Sequence, residues 1–173
     1  MLAYLFVAIA VAFRFMPHPL SFTPVAAALL FFGARMPRRQ AWIPVALLAA
    51  SDVLLTKFVY GFALTPDHFV TWAWYGAAVG MGMLVGGKTT VLRVAGASLA
   101  SSVSFFLVSN FAVWMAWEMY PKTLNGLAMC YAAAVPFFRN TVASDLMFTA
   151  VAFSIPVVLE LLSPKTAKDS IVA

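Results

Sequence analysis

Apolar residues fall into six blocks at about 2–16, 22–36, 41–60, 69–87, 94–117 and 141–162, divided by shorter segments that carry proline or charge. A helix that crosses a bilayer needs about 20 mostly apolar residues, with about 17–25 as the usual range. The pattern therefore predicts an all-α polytopic membrane helix bundle of six transmembrane helices. Residues 1–163 form one domain and 164–173 a loose tail. The first two blocks are the shortest, so they are expected to tilt or to run into the neighbouring loops. The first block begins at Met1 without a basic leader region or a small-residue cleavage site, and is expected to stay as a helix.

One stretch does not fit the six. "NGLAMCYAAAVPFFRNT" (125–141) is apolar, too short to span and interrupted by Pro136. It predicts a short re-entrant or interfacial helix at about 123–138, ended by that proline, with Arg139 and Asn140 leading into the sixth span.

Charge sets the expected orientation. Of the eleven Lys and Arg residues, Arg35, Arg38, Arg39, Lys88, Arg93, Lys165 and Lys168 all fall on one side of the six-block layout. By the positive-inside rule that side is cytoplasmic, which places both termini inside and segments 17–21, 61–68 and 118–140 outside. Small residues at helical spacing, Ala8/Ala12, Gly76/Gly80, Gly82/Gly86 and Gly96/Ala100, mark faces where helices can pack closely.

Composition agrees: 64% of the 173 residues are hydrophobic and 10% charged, against about 25% charged in soluble domains. The net charge of +5 includes no basic run that could follow a phosphate backbone, so nucleic acid is not an expected partner. Cys130, the single cysteine, excludes an intramolecular disulfide, and no metal-ligand spacing surrounds it. Enzyme templates are missing. "GMLVGGKT" (82–89) matches a phosphate loop formally, but it lies at the end of an apolar helix with bulky residues inside the loop. Neither a catalytic site nor a cofactor or metal is expected.

Charge at membrane depth costs about 2.5–3.5 kcal/mol on insertion scales and so needs a reason. Asp52 in span three and Asp145 in span six are expected to be buried polar groups. Asp52 is read either as an anchor between helices or as a proton, cation or substrate contact. Arg14 either snorkels to the interface or pairs with Asp145 across the bundle. The outer ends gather polar and aromatic groups, and the candidate ligand-binding set is Arg14, His18, Asn110, Trp114, Tyr120, Cys130, Arg139 and Asn140. Asn110 and Trp114 are four apart and share a helix face, which suits a small planar ligand. Arg139 would suit an anionic group, and Cys130 is either packing or a soft ligand.

The segments "PHPLSFTPVAAALLFFG" (17–33), "ASDVLL" (50–55), "SNFAVW" (109–114), "YPKTLNGLAMCYAAAVPFFRNT" (120–141) and "SDLMF" (144–148) resemble a family of small bacterial membrane proteins of unknown function that carry a transport-protein label. The six-helix layout with an outward pocket also resembles, more loosely, the S components of energy-coupling-factor vitamin transporters. That resemblance implies uptake of a small vitamin-like ligand across the bacterial inner membrane. It also implies a transmembrane scaffold subunit with ATPases as a partner. A non-transporting scaffold or assembly protein is the alternative.

Overall fold

The computed structural model describes residues 1–163; the expected tail 164–173, with Lys165 and Lys168, lies outside the described residues. The regular elements are helical throughout that range: α1 (Leu2–Phe13), α2 (Val25–Arg35), α3 (Trp42–Leu54), α4 (Pro66–Gly86), α5 (Val91–Ala116) and α6 (Leu124–Leu162). A 3-10 turn at Arg38–Gln40 leads into α3, and a π-helical turn at Leu55–Val59 continues it.

All six apolar blocks become helix, but only four helical runs, Arg38–Val59, Pro66–Gly86, Val91–Ala116 and Leu124–Leu162, are long and apolar enough to cross a membrane. At about 1.5 Å per residue, α1 with 12 residues and α2 with 11 reach about 18 and 16 Å. The hydrocarbon core is about 30 Å thick, so neither matches the length of a span.

The separate helix expected at 123–138 is absent. Its residues and those of the sixth block form one continuous helix of 39 residues, about 58 Å long. Thr123 caps its start by accepting the Gly126 N–H at 3.1 Å. Pro136 and Pro156 lie inside it without ending it. Proline removes one N–H and crowds the carbonyl a turn earlier. Here that turn is Ala132-Ala133-Ala134, whose strong helix preference and small side chains let the helix continue.

Helices consecutive in the chain run antiparallel. Tyr4 and Phe6 of α1 meet Phe32 and Phe31 of α2. Trp74 of α4 bonds Ser104 of α5, while Asp67 and Trp117 meet one helix end away. Met1, the α2–α3 turn, the α4–α5 turn and Ser163 consequently share one end, which holds Arg35, Arg38, Arg39, Lys88 and Arg93. The loops 14–24, 60–65 and 117–123 share the other.

The core is built around α2. Every residue from Val25 to Gly33 is buried, as expected of a helix that is apolar all round. Glycine lets α2 and α4 approach: a Cβ on Gly33 would stand 2.0 Å from the Val79 carbonyl oxygen, and one on Gly82 would stand 2.2 Å from that of Leu30. Gly76 and Gly80, on the other side of α4, face open space. Of the two glycine pairs in α4, only Gly82/Gly86 is therefore used within the chain.

This contrast generates a prediction. Gly33→Ala and Gly82→Ala should each destabilise by at least about 1–3 kcal/mol, the usual cost of overpacking, whereas Gly76→Ala and Gly80→Ala should be neutral or slightly stabilising. Thermal unfolding of the detergent-purified variants measures the difference.

Candidate functional site

Asp52 lies on the last turn of α3 before the π-helical turn and is 7% exposed. The Arg14 guanidinium, immediately after α1, donates to one carboxylate oxygen of Asp52. It also bonds the Ser51 hydroxyl at 2.7 Å and the Leu48 carbonyl at 3.3 Å. The second oxygen of Asp52 accepts from the Trp72 indole N–H at 2.9 Å and the Tyr75 hydroxyl at 3.1 Å. Trp72 and Tyr75 are three apart, so they share one face of α4. A buried charge is tolerable when it is paired and its remaining lone pairs are bonded. Asp52 meets both conditions, and Arg14 pairs with it rather than with Asp145.

Asp145 is treated differently. It is 3% exposed and accepts a 2.6 Å hydrogen bond from Ser102 of α5, with no cationic partner among the described residues. Around it lie hydroxyls in an otherwise apolar interface. Those of Ser98, Ser101 and Thr149 are buried without any hydrogen-bond partner among the described residues.

Two hollows lie between these groups and the end opposite the basic turns. The deeper one, about 210 Å³, is lined by Arg14, Thr23, Trp74, Tyr75 and Asp145 among others. The outer one, about 200 Å³, is lined by Ser109, Asn110, Ala134, Phe137 and Phe138 among others. Ser21, Phe105 and Thr141 line both. They adjoin through these residues and are together called the crevice, extending from Asn110 to Asp145, with aromatic walls and hydroxyls of Ser21, Thr23 and Thr141. Ser21 adopts a left-handed φ of 60° where the loop turns into it.

Of the expected ligand-binding residues, Arg14 and Asn110 line this crevice. The Asn110 amide donates to Phe106 O of its own helix at 2.8 Å. The others serve the framework. Trp114 donates to Pro121 O at 2.9 Å, and Lys122 lies 5.6 Å from the Trp114 ring while bonding Trp114 O and Trp117 O. Together they close the α5–α6 turn and satisfy the free carbonyls at the end of α5. Cys130 is buried, its thiol 3.5 Å from Asn110 O. His18 bonds Met16 O at 2.7 Å and packs on Phe13. Asn140 holds Leu20 O at 3.1 Å. Arg139 is exposed, and Tyr120 lies in the outer loop.

The residues not anticipated are Trp72, Trp74, Tyr75, Ser102 and Phe105. A serine-rich face, "SLASSVS" at 98–104, was a readable signal. Trp72 and Trp74 are hidden by the general habit of tryptophan to sit at membrane interfaces.

Fold and site together define an all-helical membrane protein with a neutralised ion pair and a crevice at its heart. Its sequence belongs to the family of unknown function DUF6580, matched over residues 1–167. No curated protein and no solved structure matches the chain. The match bears out the resemblance to an uncharacterised family, and nothing in it speaks for transport or for likeness to S components.

The ion pair supplies a test. Arg14→Met leaves a buried carboxylate with two neutral donors and should cost up to about 3 kcal/mol, since one partner is removed from a pair that keeps some exposure. Arg14→Met with Asp52→Leu should recover part of that loss. A double-mutant cycle on thermal unfolding gives the coupling directly.

Proposed function

We propose that the protein is a substrate-binding transport protein of the bacterial inner membrane, which takes a small ligand into the crevice between α2, α4, α5 and α6. The observation that carries the proposal is the crevice itself. Its lining combines aromatic walls with a few polar groups, as small-molecule sites do. Together the two hollows, about 210 and 200 Å³, fall at the lower end of the roughly 300–1,000 Å³ of drug-sized sites, which suits a small vitamin-like or other micronutrient ligand.

Arg35, Arg38, Arg39, Lys88 and Arg93 cluster at one end, supporting a cytoplasmic placement of that end and both termini, with the crevice facing outward. Trp74 and Phe105 then provide stacking surface, and Thr23, Thr141 and Asn110 orient polar groups. In this reading Arg14 shapes the wall while its charge is held by Asp52. His18, Tyr120 and Asn140 belong to the outer loops over the entrance, and Arg139 to its surroundings. A scaffold subunit with ATPases is the partner that the S-component resemblance suggests.

The alternative, a scaffold or assembly role, is favoured by one observation: the open Gly76/Gly80 face of α4, where another membrane helix could approach. Ligand-dependent thermal stabilisation across a micronutrient panel separates the two. A hit should lose its shift in Phe105→Ala and in Thr141→Val and keep it in Trp114→Phe and Arg139→Ala. No shift from any compound, together with an α4-dependent complex that Gly76→Leu abolishes, would establish the scaffold reading instead.

A further inference from the structure

The α5–α6 interface contains more hydrogen-bonding capacity than it uses. Ser102 and Asp145 meet across it. Because the helices are antiparallel, Ser98, one turn before Ser102, and Thr149, one turn after Asp145, lie on the same side of that contact, toward the basic end. Ser98 is fully buried and Thr149 is 2% exposed, and neither hydroxyl has a partner among the described residues. Ser98 also presents its carbonyl, 3.1 Å from the Ser102 oxygen, whose single proton is shared between that carbonyl and the closer Asp145.

Leaving a buried hydroxyl unbonded is costly, and a lone buried carboxylate costs more. Serine and threonine on a helix can bond the carbonyl one turn back, as Ser102, Ser109 and Thr141 do here. Ser98 and Thr149 do not. Asp52 shows how this chain treats a buried carboxylate that only holds helices together: with an arginine and two neutral donors. Asp145 has no countercharge among the described residues, and one turn away on each helix stands a hydroxyl whose lone pairs are unused, so the interface offers a negative group and spare oxygen acceptors together.

We infer that Asp145, Ser102, Ser98 and Thr149 form a binding site for a small monovalent metal cation, with sodium as its occupant, in the α5–α6 interface beneath the hollow that Asp145 lines. One carboxylate balances one charge, and hydroxyl and carbonyl oxygens are the hard donors that such ions take. A larger organic ammonium would sit above, in the crevice, without reaching Ser98 and Thr149. The site is reached through the same crevice as the proposed ligand but is tested without any organic ligand, so either reading can fail alone.

The experiment is thermal unfolding of the purified full chain at constant ionic strength, with sodium replacing choline over about 1–100 mM, because an ion that binds only the folded state raises its stability with concentration. Sodium should raise the wild-type midpoint progressively, and potassium less so. Ser98→Ala and Thr149→Val remove only unbonded hydroxyls, so in choline they should be as stable as wild type or more so, yet their sodium shift should shrink. Asp145→Asn should abolish it. A wild-type midpoint indifferent to sodium overturns the site, as does a sodium shift that survives in all three variants. If Asp145→Asn fails to fold, the two hydroxyl variants decide the matter.

Discussion

A carboxylate at membrane depth has to be answered by other groups, and the way Asp52 is answered organises this protein. Its two oxygens draw in Arg14 from the end of α1 and Trp72 and Tyr75 from one face of α4. Three helices are thereby registered at one level by contacts that lipid cannot replace. Apolar packing has no preferred height along a bundle, since one leucine contact resembles the next. A polar node does. It fixes the depth of Arg14, and with it where the loop 14–24 must turn and where α2 can begin.

That order also explains what could be read in advance. The number and approximate limits of the apolar blocks, the all-helical class and the inward placement of Asp52 and Asp145 follow from hydropathy and from the cost of charge, and each is visible in a single sequence. The partner of Arg14 is not, because Asp52 and Asp145 are both plausible on charge alone and only the packing of α1 against α3 decides between them. Trp72 and Trp74 show the same limit: an indole at an interface and an indole bonded to a buried group have the same sequence signature.

The misreading of 123–138 has a different cause. Proline as a stop is a rule for helices that depend on every backbone bond. In α6 the proline follows three alanines and precedes a long apolar run, so the lost bond is local and the helix resumes. Trp114 and Asn110, four apart on α5, divide their tasks: the indole bonds Pro121 O at the α5–α6 turn, and the amide stands in the wall of the outer hollow. The serines of α5 carried information of the opposite kind, since hydroxyls buried without partners have no framework role to absorb them.

The shortness of α2 has one more meaning. Val25 and Ala26, its first residues, line the deeper hollow, so the cavity stands where another two or three turns of that helix would otherwise run. The protein makes its internal space by leaving a helix unfinished, with Ser21 and Thr23 folded across the gap. No side chain had to shrink to make room, and the walls keep their full-sized aromatics. The dimensions of the hollow are therefore set by where one turn of backbone starts, a single choice in the chain rather than a property of the helices around it.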